Sequence, residues 1–201
     1  MILYLHGFRS SPDSFKARLM KQAMHEQGRL SQWRCPALPV SPAQAFSLAR
    51  REAQALCNTC GRRPEELTIV GSSLGGFYAT SLAEQLGCRA VLLNPAVHAP
   101  RDLATQVGEH QNYHNGEPLT FHAAYVDELA AMVVAQITSP HRYYLIAATG
   151  DEVLDWKEMR DFFTGCQQTI IEGSDHGLSD FAHHIPDVMA FAYPDNRNQQ
   201  S

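Results

Sequence analysis

The chain has 201 residues, a length that fits one globular domain, and its formal net charge at pH 7 is −5. Only 16 residues are Lys or Arg and they form no cluster, so the composition argues against nucleic acid or an anionic membrane as a partner. The first residues lack the basic segment of a secretory signal and no later run of about 20 apolar residues appears, so we expect a cytoplasmic protein.

Short apolar runs alternate with amphipathic segments along most of the chain. The runs are rich in Ile, Val, Leu and Tyr and are apolar throughout, as expected for parallel strands that are buried on both faces. They cover residues 2–5, 33–38, 67–70, 90–93, 143–148 and 168–171. We therefore predict an α/β fold whose mostly parallel sheet of about six strands is flanked by helices.

Helix signals lie between these runs. An apolar face over residues 15–24 predicts one helix, and the segment 74–87 predicts another. Ser41 followed by Pro42 is a start signal for a further helix, and Asp155 is a suitable N-cap for one that ends near residue 165. These helices supply the connections that parallel strands require.

Residues 95–140 interrupt the alternation. They contain no clear strand signal, whereas Tyr125 to Ile137 has a helical apolar face. We interpret the segment as a partly helical, cap-like insertion after the fourth core strand. The predicted organisation is a single domain over residues 1–193, with this insertion at about 95–140 and a disordered tail over 194–201.

A serine between glycines follows the third apolar run. In TIVGSSLGGFYAT (residues 68–80), Gly71 to Gly75 fits G-x-S-x-G, with a strand before it and a helix after it. In this context the strand turns sharply into the helix, and glycines on either side of the serine permit close packing. Ser73 is thus the candidate nucleophile. The alternative is a structural Gly/Ser turn or a phosphate-binding turn at a helix N-terminus.

A serine nucleophile needs a base and an acid, and both follow in the chain order of α/β-hydrolases. Asp151 comes directly after the fifth apolar run and Gly150, and His176 follows the sixth run. Because the carboxyl ends of parallel strands meet at one edge of a sheet, we expect Ser73, Asp151 and His176 to form a catalytic triad.

Other acidic residues lie near this predicted acid and base. Asp155 is the alternative acid, although its position suits a helix cap better. Glu152 is expected to point elsewhere. Asp175 neighbours His176 in sequence, which usually directs the two side chains apart.

Acyl transfer also needs hydrogen-bond donors for the negative charge that develops on the carbonyl oxygen. The backbone N–H of Leu74, directly after the candidate nucleophile, is one expected donor. The N–H of Phe8, in the loop after the first strand, is the other. His6 in the same loop is expected to have a structural role.

We predict no metal site and no cofactor. Cys57 and Cys60 have C-x-x-C spacing but no second pair, and five cysteines, an odd number, suggest reduced thiols. His110 and His114 have helical spacing, but the zinc-protease glutamate is missing and neighbouring Asn and Gly residues favour a loop.

Taken together, these motifs resemble the α/β-hydrolases and, more closely, the YqiA-like bacterial esterases. The resemblance rests on YLHGF-xSSP-xSxK, VGSSLGGFYAT, LNPAV, TGDEVLD and GSDHG, which span nearly the whole chain. It implies a compact hydrolase without the usual first antiparallel hairpin, with Ser73, Asp151 and His176 as the triad. It also implies esterase activity on small-molecule acyl esters or thioesters.

The residues leave other activities open, because this fold hosts many chemistries. The same triad could serve peptide or C–C bond hydrolysis, or acyl transfer to an acceptor other than water. The remaining alternative is a binding protein without enzymatic activity that has kept the fold.

Overall fold

The computed structural model describes residues 1–194 and contains eight strands in two sheets. The strands are β1 (Ile2–Leu5), β2 (Trp33–Arg34), β3 (Thr68–Ser72), β4 (Arg89–Leu93), β5 (Gly108–Gln111), β6 (Pro118–Phe121), β7 (Tyr143–Ala148) and β8 (Gln167–Ile171). Six of them form one sheet in the order β2-β1-β3-β4-β7-β8, in which all neighbours are parallel. The predicted fold class is confirmed.

Within residues 1–194, seven α-helices lie between or after the strands, and helices cover both faces of the large sheet. They are α1 (Phe15–Glu26), α2 (Pro42–Cys60), α3 (Leu74–Leu86), α4 (Ala99–Ala104), α5 (Ala124–Ala130), α6 (Trp156–Phe162) and α7 (Ile185–Ala192). Residues of α2, α3 and α6 pack on one face, and residues of α1 and α7 pack on the other.

The central strands of the large sheet contribute side chains to two hydrophobic cores. In β1, Leu3 and Leu5 lie in the core beneath α2 and α3, whereas Ile2 and Tyr4 lie in the core beneath α1 and α7. Successive side chains of a strand point to opposite faces, so a strand between two cores is apolar at every position. This explains the uninterrupted apolar runs in the sequence.

The helix caps agree with the sequence signals. The Ser41 side chain accepts a hydrogen bond from the Gln44 backbone N–H, and α2 starts at Pro42. Asp155 Oδ1 accepts one from the Lys157 N–H at the start of α6. Such caps satisfy N–H groups that have no partner within the helix.

The insertion after β4 contains more regular structure than the sequence indicated. The sequence shows no clear strand signal in residues 95–140, yet β5 and β6 form an antiparallel pair there, with Gly108 opposite Phe121. The strands are only four residues long and, apart from the buried Phe121, alternate between exposed and partly buried positions, so they lack the apolar run that marks a core strand. The helical segment is also shorter than predicted, since α5 ends at Ala130 and does not continue to Ile137.

Within residues 1–194, no helix combines the length and the apolar composition that a bilayer crossing requires. The predicted tail begins at residue 194, and its residues 195–201 lie outside the described part of the chain.

Candidate active site

Ser73 occupies the sharp turn between β3 and α3. Its backbone has φ 55° and ψ −122°, a conformation that non-glycine residues rarely adopt and that stores strain. The Ser73 N–H donates to the Leu93 carbonyl at 3.0 Å, and the Ser73 carbonyl accepts from the N–H groups of Gly76 at 2.9 Å and Ala96 at 3.1 Å. These bonds to β4, to the loop after it and to the start of α3 hold the strained turn in place.

Glycines around the turn allow the start of α3 to approach the end of β1. A Cβ atom on Gly75 would lie 2.6 Å from the Leu5 carbonyl carbon and 2.7 Å from the His6 carbonyl oxygen, distances that no side chain tolerates. A Cβ atom on Gly7 would lie 3.1 Å from the Ser73 Cβ. The loop after β1 is therefore in direct contact with the candidate nucleophile.

The structure brings the three residues of the predicted triad together. Ser73 Oγ lies 3.1 Å from His176 Nε2, and His176 Nδ1 lies 2.8 Å from Asp151 Oδ2. The Asp151 side chain is fully buried, while the His176 side chain is 20% exposed. A carboxylate can only accept, so the neutral imidazole carries its proton on Nδ1, and Nε2 is left to accept the hydroxyl proton of Ser73.

Two backbone groups orient the Asp151 carboxylate. Its Oδ1 accepts hydrogen bonds from the N–H groups of Val153 and Leu154, each at 2.8 Å, while Oδ2 faces His176. Asp155, the alternative acid, caps α6 instead and makes no hydrogen bond to the imidazole among the described residues. The geometry thus distinguishes two aspartates that lie four positions apart.

The Glu152 side chain contacts the loop that carries His176, which the sequence did not indicate. It was expected to point elsewhere, but its Oε2 accepts a hydrogen bond from the His176 backbone N–H at 3.0 Å. The loop after β8 folds back onto the loop after β7, a contact between distant segments that sequence spacing does not reveal. Asp175 does turn away from the imidazole, since its Oδ1 accepts from the Ser179 N–H at 3.0 Å.

Asn94 is a site residue whose role the sequence did not indicate. It is fully buried, with φ 44°, and follows the last residue of β4. Its Nδ2 donates to the carbonyl oxygens of Asp175 and His176, each at 3.0 Å, and its Oδ1 accepts from the Ala148 N–H at 2.9 Å. The available signal was a polar residue at the carboxyl end of a buried strand, next to the strands that carry Ser73 and Asp151.

The expected oxyanion donors lie at the same end of the sheet. Phe8 and Leu74 both line the cavity that contains Ser73 and His176. Neither of their backbone N–H groups has a hydrogen-bond acceptor in the part of the chain that the structure describes. Both groups are thus available to a bound oxygen, as an oxyanion site requires.

His6 fixes the loop that carries Phe8. Its Nε2 accepts a hydrogen bond from the Leu38 N–H at 3.0 Å, so Nδ1 carries the proton and donates to the Gly7 carbonyl at 3.0 Å. Burial lowers the pKa of His6, which favours the neutral form that this arrangement needs. These contacts fit the structural role expected for His6.

A cavity of about 800 Å³ opens above Ser73 and His176. Apolar side chains from two loops and from α4 line it, including Phe8, Leu154 and Leu103. Its charged lining residues are Lys16, Arg9, Arg101 and Asp102. The insertion after β4 contributes to the wall, so it helps to shape the space in which a ligand would bind.

The motifs considered for metal binding are not brought together, although His114 lines the same cavity as Ser73. His110 is in β5 rather than in a loop, and its Nε2 is 2.6 Å from the Gln106 carbonyl. Cys57 and Cys60 are at the end of α2 and are not disulfide-bonded. No group of three or more His, Cys, Asp or Glu side chains among residues 1–194 is arranged to hold a metal ion.

Comparison with solved structures supports the fold. A protein from Agrobacterium vitis S4 is 18% identical, with a TM-score of 0.68, over 96% of this chain and 87% of that chain. Est1E from Butyrivibrio proteoclasticus is 16% identical, with a TM-score of 0.65, over 95% of this chain and 84% of that chain. An α/β-superfamily hydrolase from Oenococcus oeni PSU-1 is 14% identical, with a TM-score of 0.61, over 95% of this chain and 92% of that chain.

The family comparison covers almost the whole chain. The model of the family described as "Uncharacterised protein family (UPF0227)" matches residues 1–193, which include all five motifs of the YqiA-like resemblance. The parallel six-stranded sheet and the structural similarities agree with that assignment. The chain therefore belongs to the UPF0227, or YqiA-like, family and has the α/β-hydrolase fold.

Proposed function

We propose that this protein is a serine hydrolase that cleaves carboxylic esters or thioesters of small molecules. The observation that carries the proposal is the continuous hydrogen-bonded chain from Ser73 through His176 to the buried Asp151, at the floor of an open cavity. A nucleophile, a base and an orienting acid in this geometry are the requirements of acyl transfer.

In the first half of the reaction, His176 Nε2 removes the Ser73 hydroxyl proton as Oγ attacks the acyl carbon. The N–H groups of Phe8 and Leu74 stabilise the negative charge on the carbonyl oxygen. His176 then gives its proton to the leaving alcohol or thiol, and an acyl-enzyme remains. Asp151 keeps the imidazole in the required tautomer and stabilises the imidazolium.

In the second half, water takes the place of the leaving group. His176 removes a proton from this water as its oxygen attacks the acyl carbon, and the same two N–H groups stabilise the second tetrahedral intermediate. The proton returns to Ser73 Oγ as the ester bond breaks, which releases the carboxylic acid and restores the enzyme.

The experiment is hydrolysis of p-nitrophenyl and coenzyme A esters from acetyl to palmitoyl by the wild type and Ser73→Ala. The proposal requires turnover by the wild type and a loss of roughly a millionfold in kcat in the variant. Labelling by a fluorophosphonate probe should likewise require Ser73. Equal activity of both proteins would show that Ser73 is not the nucleophile, and an inactive, unlabelled wild type would favour a different reaction or a binding role.

A further inference from the structure

Lys16 places an ammonium group in the wall of the active-site cavity. It lies in the first turn of α1 and is only 9% exposed. Its Nζ donates a hydrogen bond to the carbonyl oxygen of Gly177, 2.6 Å away, directly after His176. This lysine is therefore next to the catalytic loop although it is far from that loop in sequence.

The charge of Lys16 is incompletely compensated within the protein. Among the described residues Lys16 makes no ion pair, and the Gly177 carbonyl is its one hydrogen-bond partner. Burial lowers the pKa of Lys16 to about 8, while the negative charges of Asp175 and Asp151 act in the opposite direction. The side chain is thus charged at neutral pH, and two of its three N–H donors remain for a ligand.

Two hydroxyl groups on the same side of the cavity also have spare hydrogen-bonding capacity. Tyr4 and Ser14 both line the cavity, and their buried hydroxyl oxygens make no hydrogen bond of good geometry within residues 1–194, although the Tyr4 hydroxyl is close enough to those of Ser14 and Ser72 for a weak one. Tyr4 lies beside Ser14 and Ser72. Buried polar groups without partners cost free energy, and a polar ligand group that pairs with them removes that cost.

An anionic group fits this wall better than a neutral one. A buried cation without a contacting acid is costly in an unliganded protein, and a ligand carboxylate compensates it directly. The other cavity cations are less available: Arg101 pairs with Glu158 and Asp102, and Arg9 donates to the Gln111 carbonyl and stacks on Tyr113. Among the cavity cations within residues 1–194, Lys16 is the most deeply buried, and its single positive charge beside hydroxyl groups matches a single negative charge.

We propose that the wall formed by Lys16, Tyr4 and Ser14 is a subsite for a carboxylate of the substrate, so that the preferred esters carry an acidic group. This inference rests on the proposed hydrolase function and specifies its substrate class. Lys16 is the specificity-determining residue, and its ammonium binds the carboxylate while it also holds the loop that carries His176.

The experiment compares esters that differ only at the far end of the acyl chain. The substrates are p-nitrophenyl hexanoate and the mono-p-nitrophenyl ester of adipic acid, in which a carboxylate replaces the terminal methyl group. A second pair places the charge on the leaving group: butyrate esters of para-hydroxybenzoate and of its methyl ester. We expect wild-type kcat/KM to be about tenfold or more higher for the charged member of one pair, which also identifies the side of the ester bond that faces Lys16.

Lys16→Met should abolish this preference, whereas Lys21→Met should keep it, because Lys21 is an exposed cation of the same helix. The readout is the ratio of kcat/KM for the charged ester to kcat/KM for the neutral ester, measured with the same variant. A general loss of activity from the missing hydrogen bond to Gly177 affects both values and cancels in this ratio. Absence of a preference in the wild type, or a ratio unchanged in Lys16→Met, would overturn the subsite. Should Lys16→Met not fold, competitive inhibition of wild-type hexanoate hydrolysis by the matching carboxylate product tests the same point, and no inhibition overturns the proposal.

Failure of the esterase proposal can be distinguished from failure of the carboxylate subsite. If the wild type hydrolyses neither member of either pair, the esterase proposal fails, and binding of monomethyl adipate is then compared with binding of methyl hexanoate by calorimetry. Tighter binding of the acid that disappears in Lys16→Met would retain the anion subsite for another reaction. Equal binding would exclude the subsite as well.

Discussion

The side-chain amide of Asn94 donates a hydrogen bond to the backbone carbonyl oxygen of His176, 3.0 Å away. The same amide also contacts the Asp175 carbonyl and the Ala148 N–H. Asn94 thus connects the end of β4 to the end of β7 and to the loop after β8. Asn94 therefore holds the backbone that carries the imidazole, and within residues 1–194 its side chain makes no hydrogen bond to Ser73 or Asp151.

We predict that Asn94→Asp lowers kcat about tenfold or more, because a carboxylate in place of the amide repels the carbonyl oxygens of Asp175 and His176. The loss of the buried hydrogen bonds to these two carbonyl oxygens would also lower the free energy of unfolding by about 1–3 kcal/mol. Aspartate keeps the shape of the side chain and tolerates the positive φ, so the change isolates the lost donor. Steady-state kinetics and urea unfolding measure the two effects, with the exposed Asn58→Asp as the control. Unchanged kcat in Asn94→Asp would refute a positioning role.

The acid of the triad can be tested with three amide substitutions. Asp151→Asn should lower kcat about ten-thousandfold, because an amide no longer stabilises the imidazolium or selects the tautomer. Asp155→Asn should retain activity, since Asp155 only caps α6. Glu152→Gln should have a small effect, because the amide oxygen can still accept from the His176 N–H. A larger loss in Asp155→Asn than in Asp151→Asn would reverse the assignment.

Activity should depend on the protonation of His176. A protonated imidazole cannot accept the Ser73 proton, so kcat/KM for a neutral ester should be lower in acid than at neutral pH. The measurement is a pH profile of kcat/KM, corrected for spontaneous hydrolysis, on p-nitrophenyl hexanoate. A profile that is flat from acid to neutral pH would contradict general-base catalysis by His176.

The buried ammonium of Lys16 has a separate effect on stability. Its pKa is lowered from 10.5 to about 8, mainly by burial, while Asp175 and Asp151 act in the opposite direction. Below pH about 8 both the folded and the unfolded states are protonated, and the folded state carries the cost of the buried charge. As the pH rises above 8 the folded state loses this proton first, so the contribution of Lys16 to the free energy of unfolding increases up to about pH 10.5.

The measurement is the difference in the free energy of unfolding between the wild type and Lys16→Met at several pH values from neutral to alkaline. This difference should change in favour of the wild type as the pH rises through 8. Lys21→Met corrects for the general effect of losing one positive charge. A difference that does not vary with pH would mean that Lys16 does not titrate in this range.

Because α3 approaches the end of β1 closely, we expect alanine to destabilise the protein far more at Gly75 than at Gly28. Gly75→Ala should prevent stable folding, because its Cβ would overlap the backbone of Leu5 and His6. Gly28→Ala should cost only about 1 kcal/mol, since no atom lies within 4 Å and only its positive φ opposes a side chain. Soluble yield and Tm of the two variants compare the effects. A stable Gly75→Ala would show that the turn at Ser73 can relax.

Local sequence patterns predicted most of the fold. Strands such as β1 and β7 are buried on both faces, and this environment requires the uninterrupted apolar runs that the sequence displays. The hairpin of β5 and β6 was missed because its strands are short and partly exposed, so no strong periodic pattern constrains them. The domain boundaries given by the sequence stay a prediction.

The sequence by itself determined which residues the proposed chemistry needs: a serine in a glycine-rich turn, and an aspartate and a histidine after later strands, in a fixed order. These signals are local, since they depend on the turn and strand that immediately surround each residue. Only the tertiary structure decided that Asn94, Glu152 and Lys16 contact the backbone of the loop that carries His176. Those contacts join segments far apart in the chain, and their partners are backbone atoms that every residue possesses, so no local pattern in the sequence records them.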